Sequence, residues 1–242
     1  MEAHMEKNIL YQVSLLQALT LGHYEGVLPV KEIRKHGDFG LGTFHGLDGE
    51  MIFLDGVLYR ADGKGKVTVP DDSVTVPFCD VTFFSADTEK TLPEVGSAKE
   101  LGHLLEEEIR KKGRNYFYAF RMDTVFRSVT VRSEIGQKKP YRRLDEVMKT
   151  DQVTFSLARI SGTLMGLYCP PYMDRLNMPG WHFHFLSADR KAGGHVLDAS
   201  CGGGTAQLAR LSRFETVLPE TDDFGGLDLT QDLREQIASA EG

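Results

Sequence analysis

The 242-residue chain is 41% hydrophobic and carries a formal net charge of −7, a length that spans about one to two domains and can bury a core without help from disulfides or a structural metal. Its three cysteines, Cys79, Cys169 and Cys201, are odd in number and lack C-x-x-C spacing, which excludes a disulfide framework and a Cys-rich zinc module and suits a reducing compartment. The acidic balance argues against a general nucleic-acid binder.

The chain starts Met1-Glu2-Ala3-His4-Met5-Glu6-Lys7, without the basic start and apolar run of a signal peptide. No stretch approaches the ~18 apolar residues of a membrane-spanning helix. A cytoplasmic protein with no membrane partner is expected. Gly40–His45, Met51–Leu54, Val57–Tyr59 and Lys66–Val69 read as short strands separated by Asp-Gly or Gly-Lys turns. Ser97-Ala98-Lys99-Glu100 forms a capping box. Leu101, Leu104, Leu105 and Ile109 follow at helical spacing, and Gly113 stops the helix. The charges from Glu106 to Lys112 form its solvated face, and His103 is a surface or packing residue.

Asn115–Arg121, Val125–Arg132 and Val153–Tyr168 are rich in aromatic and β-branched residues and read as strands. Leu144–Lys149 and Leu229–Ala238 read as short helices. Pro170-Pro171 ends strand character. Trp181–Ser187 and His195–Ser200 form a hairpin across residues 188–194. The expected fold is α+β, with two β-rich subdomains of mixed or antiparallel sheets, residues 1–150 and 151–242. An internal echo supports two related layers: residues 40–47 match residues 160–167 at four of eight positions. Two unrelated strands sharing a Gly-Thr turn signal explain it equally well. If the echo is a duplication, Phe53-Leu54 matches Phe185-Leu186 and Glu50 corresponds to His182.

The histidines carry the chemistry. Strand side chains alternate, so His182 and His184 share one face while Trp181, Phe183 and Phe185 take the other. A turn near Asp189-Arg190 brings His195 across from His184. Three neutral nitrogen ligands with a vacant position are the usual arrangement of catalytic zinc, although iron, copper or nickel also suit imidazole. The alternative is three partly buried hairpin histidines with backbone partners, at odds with the cost of burying several imidazoles on one apolar strand. A cupin-like oxygenase or isomerase also uses H-x-H, but the glycine spacing before the pair is wrong and Asp189 stands in a turn. The segment His195-Val196-Leu197-Asp198-Ala199-Ser200-Cys201-Gly202-Gly203-Gly204 looks like a methyltransferase strand and loop. Only 38 residues follow it, too few for that fold.

Taken together, Tyr11-Gln12-Val13-Ser14, His36 to Phe44, Leu47-Asp48-Gly49-Glu50-Met51, Lys139-Pro140-Tyr141, Gly180 to Asp189 and Gly193 to Leu197 resemble the acetolactate decarboxylase family. The resemblance runs in order from about Leu10 to the C-terminus. It implies a Zn2+ enzyme converting 2-acetolactate to acetoin and carbon dioxide through a metal-bound enediolate, and it implies a homodimer. It assigns His182, His184 and His195 as metal ligands, Glu50 and Arg132 as active-site residues, and Thr43 as a pocket residue. It also implies a C-terminal tail that returns to the metal with a glutamate, for which Glu241 is the match. The chemistry suits these residues: a 2-hydroxy-3-oxo acid loses carbon dioxide when its ketone can take the electrons, and a Lewis acid makes an organic electron sink unnecessary.

Overall fold

The structure is a computed structural model that describes residues 7–241, with side chains as far as residue 237. In chain order its elements are β1 (Ile9–Val13), α1 (Leu16–Thr20), β2 (Leu28–Pro29), α2 (Val30–Ile33), β3 (Phe39–Thr43), β4 (Glu50–Leu54), β5 (Val57–Ala61), β6 (Val67–Thr68), β7 (Thr75–Val76), β8 (Phe78–Thr82) and β9 (Thr88–Leu92). Then come α3 (Ala98–Lys112), β10 (Phe117–Glu134), α4 (Leu144–Asp151), β11 (Gln152–Cys169), β12 (Gly180–Ser187), β13 (Gly193–Cys201), β14 (Gly204–Leu211), β15 (Arg213–Val217), α5 (Asp222–Gly225) and α6 (Arg234–Glu241).

The architecture is α+β. One sheet runs β15-β1-β8-β3-β4-β5-β6, antiparallel except where β15 lies parallel to β1. A second runs β11-β12-β13-β10-β14-β9, and β10 also pairs with β11, so that β10, β11, β12 and β13 close on themselves, while β2 and β7 form a small two-stranded sheet. Leu41, Ile52 and Leu54 of the first sheet pack against Met165, Leu167 and Leu186 of the second. Removing such side chains from water is the main force holding the layers together. Helix α3 covers the second sheet through Leu101 and Leu105. Helices α1, α4 and α6 form a cap in which Leu16, Leu19, Leu144, Val147 and Ile237 meet.

The helix start expected at Ser97 is present: its side chain accepts a hydrogen bond from the Glu100 N–H at 3.1 Å. Glu100 reaches back to the Gly96 N–H, one residue earlier than the capping box requires. The strands expected at Asn115–Arg121 and Val125–Arg132 are one strand. The ladder with β11 continues through Asp123 and Thr124, and the Thr163 hydroxyl donates to the Asp123 carboxylate across it. The last helix starts at Arg234, not Leu229. The carboxylates of Asp228 and Asp232 accept the N–H groups of Thr230 and Arg234, and such local bonds compete with helix before that point.

The division expected at residue 150 does not follow the sheets. The β10–β11 ladder straddles it, with Glu134 facing Gln152, and β15 returns to β1. The echo does not extend to register either: Phe53 pairs with Gly40, whereas Phe185 pairs with Leu164 and Ile160 pairs with Phe126.

A buried polar cluster ties the segment before β12 to the first sheet. The Asn177 amide donates to Asp80 and to Gln12, each at 2.8 Å, and Gln12 donates to the carbonyls of Ser14 and Leu176. Burial pushes the Asp80 carboxyl up to about 7, against the opposing bond from Asn177.

Candidate metal centre

Alternation along β12 turns Phe183 and Phe185 into the core, where they meet Phe120 and Phe126 edge to face, and turns His182 and His184 the other way. The hairpin register sets His184 directly opposite His195, and the next strand sets His195 opposite Arg132. Directly opposed residues share a sheet face, so the side chains of β10, β13 and β12 line up in one row. Gly194 makes this approach possible: it has a φ of +148°, and a Cβ there would lie 2.4 Å from the Arg132 carbonyl oxygen.

One ring nitrogen from each of His182, His184 and His195 lies within 4.8 Å of the others. The His182 Nε2 and His195 Nδ1 atoms are 2.8 Å apart. His184 is fully buried, and its Nδ1 lies 2.9 Å from the Met51 carbonyl oxygen. That carbonyl can only accept, so Nδ1 carries the proton and Nε2 presents a lone pair. Nε2 has no hydrogen-bond partner among the described residues and lies 3.5 Å from a Glu50 carboxylate oxygen. Burial, then the neighbouring His182, holds the His184 imidazole well below its usual pKa. A neutral imidazole held by a backbone carbonyl, with its lone pair buried beside two more imidazoles, fits a divalent cation.

The first sheet brings Glu50 to the histidines because β4 packs against β12 and β13. Glu50 is the first residue of β4 and follows a tight turn with positive φ at Leu47 and Gly49. The Thr43 hydroxyl, opposite Glu50 in register, donates to the Gly49 carbonyl at 2.9 Å. Thr43 lines the cavity, but its hydroxyl braces the turn that presents Glu50.

Arg132 is 2% exposed. Its Nη2 lies 3.5 Å from His195 Nδ1, its Nη1 donates to the Gln152 side chain at 3.3 Å, and its Nε lies 3.9 Å from a Glu134 carboxylate oxygen. Glu134, itself 1% exposed, lines the same cavity. It was not among the residues expected from sequence; its i+2 spacing from Arg132 on one strand is the signal that finds it. Leu19, Leu47, Phe78, Leu144 and Met148 give the cavity an apolar wall over a floor of charged groups. Helix α6 brings the chain end back against α4 and α1. Glu241 is the last residue of that helix, and its side chain lies outside the described residues.

The alpha-acetolactate decarboxylase family model matches residues 10–231. An alpha-acetolactate decarboxylase of Methanosarcina mazei is 41% identical over 234 residues, covering 97% of this chain and 80% of the relative. One from Brevibacillus brevis is 40% identical over 235 residues, covering 97% of this chain and 81% of the relative. The crystal structure of alpha-acetolactate decarboxylase from Bacillus subtilis superposes with a TM-score of 0.90 at 34% identity, covering 97% of this chain and 99% of that one. The chain is an enzyme that belongs to the alpha-acetolactate decarboxylase family.

Proposed function

We propose that the chain decarboxylates 2-acetolactate to acetoin and carbon dioxide with a zinc ion held by His182, His184 and His195. The observation that carries this reading is the cluster of three imidazoles, two of which, His182 and His195, line one cavity with Arg132 and Glu50. The chemistry a bound zinc supplies is Lewis acidity toward the substrate ketone.

The chain's own residues do the rest. Arg132 receives the substrate carboxylate and fixes the bond to be broken relative to the ketone. That carbon–carbon bond breaks, carbon dioxide leaves, and the electron pair moves onto the ketone. One proton must then reach the carbon that lost the carboxylate. Arginine is a poor proton source because its pKa is so high, so Glu50, directly or through water, delivers it. Glu241, from the tail, shares the acid–base work. The apolar wall receives the two methyl groups and keeps bulk water away. Thr43 serves by holding the turn of Glu50.

A cytoplasmic homodimer with no nucleic-acid or membrane partner completes the reading. Three buried free thiols support a reducing compartment, and no described helix is long and apolar enough to cross a membrane. The test is to assay purified protein for metal content and for release of carbon dioxide and acetoin from racemic 2-acetolactate. Stoichiometric zinc and equal yields of both products are expected. Zinc-loaded protein without activity on 2-acetolactate, or undiminished activity in metal-free protein, would overturn the reading.

A further inference from the structure

The mechanism leaves one buried charge in the cavity unused, that of Glu134. Among the described residues, Glu134 lies by the Nε of the Arg132 guanidinium, Gln152 by Nη1 and His195 by Nη2. At 3.9 Å the Glu134 contact is one of charge rather than a hydrogen bond. Both Arg132 and Glu134 are almost fully buried, where opposite charges interact strongly.

Decarboxylation gives this pair a specific task. The negative charge of the substrate starts on its carboxylate and has largely left it in the transition state. An arginine that grips the carboxylate therefore stabilises the ground state more than the transition state, which slows the step. The same arginine is needed to orient the bond that breaks. A fixed carboxylate beside Nε reconciles the two demands: it holds the guanidinium in place and weakens its hold on the departing group.

We infer that Glu134 is a positioning residue that tempers the grip of Arg132 on the substrate carboxylate. The inference rests on the reading that Arg132 receives that carboxylate.

The test compares Glu134→Gln, Glu134→Asp and Arg132→Ala in the metal-loaded enzyme. It measures kcat and KM for 2-acetolactate and, by calorimetry, the Kd of 2-hydroxy-2-methylbutanoate, which has the carboxylate and hydroxyl but no ketone and cannot decarboxylate. Glu134→Gln should lower kcat about ten-fold while lowering both KM and Kd about five-fold, with metal content unchanged. Glu134→Asp keeps the charge and should stay within about two-fold of the parent in KM and Kd. Unchanged KM and Kd in Glu134→Gln, or a loss of kcat with KM unchanged and a lower melting temperature, would overturn the inference. If Arg132→Ala leaves the Kd unchanged, the reading of Arg132 fails first, and the inference with it. Should Glu134→Gln not fold, Gln152→Glu adds a carboxylate on the neighbouring edge and must act in the opposite sense, raising KM and Kd; lowered or unchanged values would overturn the inference.

Discussion

Two buried polar clusters in this molecule differ in what their bonds are for. In the Gln12–Asp80–Asn177 cluster, amide donors meet carbonyl and carboxylate acceptors and tie the segment before β12 to the first sheet. At the histidine cluster, one bond of the same kind holds His184 to Met51, but its other nitrogen points a lone pair at Glu50 and two more imidazoles. The first cluster turns its polar groups on one another, as a structural network does, apart from Asp80 Oδ1, which has no hydrogen-bond partner among the described residues. The second keeps donor atoms aimed at one point, as a ligand site does.

The largest expected break of this contrast is His184→Ala. It should take metal content and acetoin formation to background while the circular dichroism spectrum stays unchanged; retained metal would remove His184 from the ligand set. Glu50→Gln comes next: zinc should stay bound while kcat falls by about 10²–10⁴, the range of a lost general acid or base. Full activity would end its assigned role.

The structural cluster should answer to pH instead. The folded-state pKa of Asp80 is raised to about 7, so the folded chain holds a proton that the unfolded chain has lost. Stability from this group is therefore present at low pH and is lost as pH rises from about 4 to about 7. Asp80→Asn removes this dependence. Urea unfolding should show its stability relative to the parent improving with pH across that window, by a difference approaching roughly 4 kcal/mol; a pH-independent difference would contradict the assignment. The smallest effect is Ser97→Ala, which removes the α3 cap at a cost of about 1 kcal/mol in thermal unfolding, with turnover unchanged.

Much of the histidine cluster was legible because strand alternation is a strict rule. His182 and His184 must share a face, and a tight hairpin can set His195 against His184, as it does. Glu50 could be placed only by resemblance, because what brings it to His184 is the packing of two sheets. Glu134 is harder to single out, because an i+2 pair on a long strand marks a shared face without saying that the face lines a cavity. Long-range pairing was the least legible feature. Nothing local in residues 213–217 announces a parallel partner in residues 9–13, and this pairing, with the β10–β11 ladder, is what the expected division at residue 150 missed.

Decarboxylation is proposed to depend on a zinc ion held by the three histidines. The most direct measurement of that dependence is a zinc titration of chelator-stripped protein, following carbon dioxide release from 2-acetolactate alongside bound metal. Stripped protein should show no turnover, and recovery should saturate at one zinc per chain. Undiminished turnover in metal-free protein would contradict it.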